Sequence, residues 1–200
     1  MTDIALLKTG FISGKKIRDF LVLIIGSDIK FSDLKIPLAC VATDIITGEE
    51  VVFDQGPVLA AIRASISIPV IFTVVKWQGR YLVDGGLVNP VPVDVVKQMG
   101  ADFIIAVNVV PDVADRANWV SKKPAAGFKE PNIIHIIMQS IYIGTYSLVS
   151  HSLEGADIVI EPRVAHIGAG DFHRATECVQ RGEVATQDSI PEVKRKLVNL

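Results

Sequence analysis

The chain has 200 residues, which at roughly 150 residues per domain makes one compact domain the simplest expectation. Half of the residues are hydrophobic, 21% are charged and the mean hydropathy is +0.41, so a disordered or low-complexity chain is excluded. Lys plus Arg number 20 against 22 Asp plus Glu, a net charge of −2, without the basic excess of a polyanion binder; nucleic acid is not an expected partner.

The opening Met1-Thr-Asp-Ile4 lacks the basic and apolar regions of a secretory signal. Lys15 to Ile25 reads as a helix with mixed faces. Ile36 to Thr43 is a nearly continuous apolar run, as expected of a strand covered on both faces. Asp44 to Gly48 turns the chain, and Val51 to Phe53 resumes as a strand. Pro57 to Ser67 predicts a helix that Ile68-Pro69 ends. Val70 to Val75 and Arg80 to Val83 predict two strands joined through the hairpin signal Trp77-Gln-Gly79. Val91 to Met99 predicts a helix closed by Gly100, and Phe103 to Val110 reads as the clearest buried strand.

Pro111 to Pro131 reads as a mobile loop, followed by a helix over 132–153. Asn132 to Leu153 contains no Asp, Glu, Lys or Arg and is long enough to span a membrane. Its Gln, Ser, Thr and His side chains would need partners in hydrocarbon, so a largely buried soluble helix is expected, with lipid contact along one face as the alternative. Asp157 to Ile160 predicts a last short strand, and Phe172 to Asp188 and Ile190 to Val198 predict terminal helices. Alternating strands and helices point to an α/β fold with a largely parallel sheet.

Tyr81-Leu-Val-Asp84-Gly85-Gly86-Leu-Val-Asn89-Pro90 is the densest candidate for chemistry. Ligands gather at the carboxyl ends of strands in α/β folds, and an Asp there suits a general base or an orienter. Gly85 and Gly86 would let backbone or substrate approach closely, and with Asn89 they are the candidate substrate-binding residues. The same string also reads as a plain Asp-Gly turn. Asp44 can simply accept hydrogen bonds within its turn, and Asp28, Asp54, Asp94 and Asp102 read as turn or cap residues.

His135, His151, His166 and His173 show no metal-ligand spacing, and His135 reads as a satisfied core histidine. Cys40 and Cys178 form neither a disulfide framework nor a zinc pair; they read as two buried thiols in a reducing cytoplasm. No phosphate-binding loop is present, and no metal or cofactor is expected. No GxSxG elbow occurs: Gly26-Ser27-Asp28 lacks the second glycine, and Ser147 lies inside a helix pattern.

Several motifs nevertheless recur in a recognisable order: Ile36-Pro-Leu-Ala-Cys-Val-Ala-Thr-Asp44, Thr47-Gly-Glu49, Ala61-Ile-Arg-Ala-Ser65 with Ile68-Pro69, Asp84-Gly-Gly86 with Asn89-Pro-Val-Pro92, and Gly100-Ala-Asp102. Together they closely resemble the patatin-like phospholipase family, in its bacterial branch related to neuropathy target esterase. The likeness is clearest over 33–110, with a weaker echo at Ile160-Glu-Pro162 and Gly168 to Phe172. It implies a three-layer, α/β-hydrolase-like fold and a lipid acyl hydrolase working through a Ser–Asp dyad, with a Gly-rich oxyanion loop. Carried over residue by residue, only the aspartate motif lands, at Asp84.

The nucleophile and oxyanion motifs have no counterpart, so the expectation is an N-terminally truncated patatin-like domain over 1–200 that is inactive alone. The implied substrate is a phospholipid or other acyl ester, at a cytoplasmic site that can touch the membrane periphery. A sheet deprived of a neighbouring strand would expose an edge, so self-association, or a partner supplying the missing part, is also expected. The alternative is a non-catalytic, patatin-derived module that binds lipid or protein.

Overall fold

The computed structural model describes residues 10–110, 112, 132–168 and 171–198. The chain divides into two compact units, 1–90 and 91–200. The predicted loop over 111–131 lies outside the described residues, apart from Asp112.

In the first unit, helix α1 (Lys15–Ile25) has the predicted bounds, and Phe20, Leu23 and Ile24 on it are exposed. Four strands follow: β1 (Cys40–Asp44), β2 (Glu50–Phe53), β3 (Val75–Trp77) and β4 (Arg80–Asp84). They form one sheet in the order β2-β1-β4-β3, antiparallel at every pairing. Helix α2 (Val58–Ser65) lies on this sheet, and Val58, Ala61 and Ala64 pack with Phe31, Ala42, Phe53 and Leu82. Small residues on α2 let its axis approach the sheet, and the Phe53 and Trp77 rings meet edge to face at 5.6 Å.

Short connections explain two of the three antiparallel pairings, β1–β2 and β3–β4. Gln78 and Gly79 both take positive φ, the geometry of a type I′ turn, so β3 and β4 form a tight hairpin. The β1–β2 turn is closed by Asp44, whose carboxylate accepts from the Ile46 N–H at 3.0 Å and whose carbonyl accepts from the Gly48 N–H at 2.8 Å. Connections this short can only join antiparallel neighbours. In the first unit parallel pairing is limited to an isolated bridge between Ile12 and Phe72; the parallel strand pair lies in the second unit.

There, β5 (Ile105–Val107) and β6 (Ile158–Ile160) run parallel, with Ile105 opposite Ile158 and Val107 opposite Ile160. Helix α3 (Val93–Gln98) contributes Val93 to a core with Val91, Ile104 and Ala106, and Gly100 follows at φ 92°. Helices α4 (Ile133–Ser152) and α5 (Ala175–Leu197) also belong to this unit. The Asn132 side chain caps α4 by accepting from the His135 N–H at 2.9 Å.

Several expectations change. The strand predicted from Ile36 starts only at Cys40, because Ile36 and Leu38 are exposed and Pro37 has no N–H for a ladder. The segment from Val70 is a turn rather than a strand, with Val70 at φ 71°, and its backbone pairs instead with Phe11 and Ile12. Strand β5 is three residues long, with Ile105 and Val107 exposed, so alternation rather than full burial describes it. The two predicted terminal helices are one, α5, which continues through Pro191.

Helix α4 is not a buried core helix. Of its residues only Val149 is buried, while Ile133, Ile134, Ile136, Ile137 and Ile143 are exposed. It is the one helix among the described residues that is long and apolar enough to cross a membrane. His135 lies on its exposed side rather than in a core, and Cys178 is an exposed thiol on α5, with Cys40 half-buried. An uncharged run reports low polarity along the whole helix; it does not say how much of its circumference neighbours cover.

Candidate functional site

The site is built where β4 ends. Leu82 and Val83 are fully buried, and the next residue, Asp84, leaves the strand and caps the 3₁₀ turn Gly85–Leu87. Three polar groups of Asp84 are each held. Its N–H donates to the Ser67 carbonyl at 3.0 Å. Its carbonyl accepts from the Thr43 hydroxyl at 2.9 Å. One carboxylate oxygen accepts from the Gly86 N–H at 2.8 Å. Burial pushes the Asp84 carboxyl above the usual carboxylate range, against the smaller opposing pull of the Gly86 N–H.

Gly85 is buried against β1: a Cβ there would stand 2.4 Å from the Val41 carbonyl oxygen. At Gly86 a Cβ would stand 3.1 Å from a carboxylate oxygen of Asp84. One glycine lets the turn reach the strand; the next leaves room for the carboxylate. The Asn89 N–H donates to the Gly85 carbonyl at 2.9 Å, and its side-chain amide donates to Glu50 at 3.0 Å, so Asn89 ties the turn to β2.

Among the described residues no hydroxyl is bonded to the Asp84 carboxylate. Ser67, whose carbonyl holds the Asp84 N–H, is fully buried. Its hydroxyl donates to the Arg63 carbonyl at 2.6 Å and accepts from the Arg63 guanidinium at 2.5 Å. Ser27 donates to Asp28 at 2.9 Å, and Ser147 to the Gly144 carbonyl at 2.7 Å within α4. No group of His, Cys, Asp and Glu suited to a metal occurs among the described residues.

Thr43, Ser67 and Arg63 are the residues that sequence reasoning passed over. All three stand inside or beside quoted motifs. Their signal is weak because what matters is a hydroxyl or a carbonyl reaching across the fold, over separations of 41 residues in the case of Thr43 and Asp84.

Asp84 is thus a partly buried acid at a strand end, followed by a close-packed Gly-Gly turn. Residues 2–97 match the family of patatin-like phospholipases. Through this segment the chain is similar to patatin-like phospholipases, and NTE family proteins are among its relatives. An NTE family protein of Mycobacterium tuberculosis is 38% identical over 109 residues, which cover 54% of this chain and 30% of that protein. A patatin-like phospholipase domain-containing protein of Caenorhabditis elegans is 42% identical over 79 residues, 38% of this chain and 6% of that protein. Lysophospholipase NTE1 of Kluyveromyces lactis is 26% identical over 187 residues, 84% of this chain and 13% of that protein. The matched segment thus spans less than a third of each of these relatives.

Proposed function

We propose that the chain carries the acid half of a lipid acyl hydrolase, with Asp84 as the general base and the serine supplied by polypeptide outside these 200 residues. In that chemistry the Asp84 carboxylate takes the proton of a serine hydroxyl as its oxygen bonds to the ester carbonyl carbon. Collapse of the tetrahedral intermediate breaks the ester bond, and Asp84 returns the proton to the departing alcohol. Water, deprotonated in the same way, then releases the fatty acid from the serine.

The observation that carries this reading is the hold on Asp84. Its backbone is tethered on both sides and one carboxylate oxygen is fixed by Gly86. A carboxyl raised by burial is a stronger proton acceptor than a solvated one, which suits the role. Gly85, Gly86 and Asn89 then serve mainly to shape the turn beside the substrate.

The substrate class is an acyl ester of lipid, in keeping with the family and with the phospholipase and lysophospholipase names of two relatives. The exposed isoleucines of α4 support contact with the periphery of a membrane. Exposed Phe20, Leu23 and Ile24 on α1 support association with a second copy or with the serine-bearing partner. A cytoplasmic setting would keep Cys40 and Cys178 reduced.

The second reading, a non-catalytic lipid- or protein-binding module, draws on the lack of GxSxG in the 200 residues. A fluorophosphonate probe separates the chain's own hydroxyls from a supplied one. The proposal predicts no labelled serine on the chain alone and labelling of the added segment when a GxSxG-bearing segment of an NTE family relative is mixed in. A labelled serine on this chain alone contradicts it, and a mixture that never labels favours the binding module.

A further inference from the structure

We propose that Thr43 is a positioning residue for Asp84: its hydroxyl fixes the peptide that turns out of β4 and so aims the carboxylate. The inference rests on the reading of Asp84 as the general base and adds to it the group that holds the base in place.

Thr43 sits in β1, the neighbour of β4, in the ladder register opposite Val83. It is buried, so its hydroxyl must find a partner inside the fold, and it donates to the Asp84 carbonyl at 2.9 Å. That carbonyl belongs to the peptide joining Asp84 to Gly85, the first peptide outside the strand. Beyond it both glycines lack a side chain to stiffen the turn, and Asp84, at φ,ψ of −49°,134°, is the last ladder residue of β4, opposite Ala42. On the other side, the Asp84 N–H is held by Ser67. Thr43 and Ser67 therefore grip the backbone from opposite ends while Gly86 holds the carboxylate. A valine at 43 has nearly the same shape but leaves the carbonyl without its donor; a serine keeps the donor and loses only the methyl.

Amide hydrogen exchange followed by NMR on the full chain tests this. Thr43→Val should speed exchange of the Asp84 and Gly86 amides about tenfold, the effect of losing one buried hydrogen bond, while the β1–β2 and β3–β4 amides keep their protection. Thr43→Ser should restore both. The Gly86 amide shift should also follow the Asp84 carboxyl through a pH titration, with a midpoint displaced in Thr43→Val but not in Thr43→Ser. Unchanged exchange at Asp84 and Gly86, or an equal loss throughout the sheet, overturns the proposal. If Thr43→Val does not fold, the wild-type chain decides: a Thr43 hydroxyl proton in slow exchange, moving as Asp84 titrates, supports the assignment, and one in rapid exchange refutes it. None of these readouts involves hydrolysis, so a failure of the general-base reading would show separately, as turnover in the mixture with a GxSxG-bearing segment that survives Asp84→Asn.

Discussion

Gly85 stands so close to Val41 that a single added methyl group would meet the Val41 carbonyl oxygen at 2.4 Å. The turn that follows the candidate base is therefore pressed onto β1, and its place depends on having no side chain there. Gly86, one residue on, faces the carboxylate rather than the strand.

Gly85→Ala should destabilise the first unit by about 1–3 kcal/mol, since backbone must move to admit the methyl. Gly86→Ala should cost less, because its neighbour is the end of a side chain that can rotate, yet it should displace the Asp84 carboxylate. Urea unfolding monitored by Trp77 fluorescence compares the two; equal stability for Gly85→Ala and the wild type would contradict the close approach.

Asp84 should make stability fall as pH rises. Its folded-state carboxyl is raised above the ordinary value of 3.8 by burial, so the folded state binds the proton more tightly than the unfolded chain. Its contribution is most favourable below the ordinary value, declines as pH climbs toward the folded value, and stays flat above it. Asp84→Asn should remove this decline and leave the neutral-pH protein as stable or more so. Midpoints of urea unfolding from pH 3 upward, compared between the two proteins, read the difference; a wild type that gains stability relative to Asp84→Asn through this range would reverse the sign.

Arg63 ties three separated stretches of the first unit. Its guanidinium donates to the Ser13 carbonyl at 2.9 Å, the Thr73 carbonyl at 3.3 Å and the Ser67 hydroxyl at 2.5 Å, and lies over the Phe72 ring at 5.5 Å. Lysine offers one ammonium where a planar fork reaches several acceptors. Arg63→Lys should lower stability by about 2 kcal/mol, and the Ser67 amide should exchange faster than in the wild type. A loss too small to measure would mean that these contacts contribute little beyond packing.

Glu177 works in the opposite pH sense. His166 first, then Arg174, hold its carboxyl down from 4.5 to about 2. The His166 ring nitrogen lies 2.6 Å from one oxygen and the Arg174 guanidinium 2.6 Å from the other. A lowered folded-state value stabilises above the ordinary one, and that gain is lost as pH falls from 4.5 toward 2. Glu177→Gln should lack this acid-side loss. Circular dichroism of α5 against pH in the two proteins checks it, and identical acid profiles would show that the cluster adds nothing.

Much of the first unit was legible because local rules agree there. The proline start of α2, the hairpin signal at Trp77-Gln-Gly79 and the apolar Leu82-Val83 run of β4 each point to what forms. Asp84 was legible for a similar reason: an acid closing an apolar strand before two glycines marks a strand end. The antiparallel sheet was not, since apolar runs such as Cys40–Asp44 show burial on both faces but not the direction of their neighbours. The exposure of α4 was hidden too, because composition counts apolar side chains and cannot tell which have partners. Thr43, Ser67 and Arg63 act through contacts distant in sequence, which no spacing rule reveals.

The central claim is that Asp84 serves a hydroxyl the 200 residues do not carry. The most direct measurement is p-nitrophenyl butyrate hydrolysis by this chain, alone and mixed with a GxSxG-bearing segment of an NTE family relative, each with Asp84 or its Asn replacement. The account predicts no turnover alone, turnover in the mixture, and its loss with Asp84→Asn. Hydrolysis by the unmixed chain that disappears with Asp84→Asn, or turnover in the mixture that survives that substitution, would contradict it.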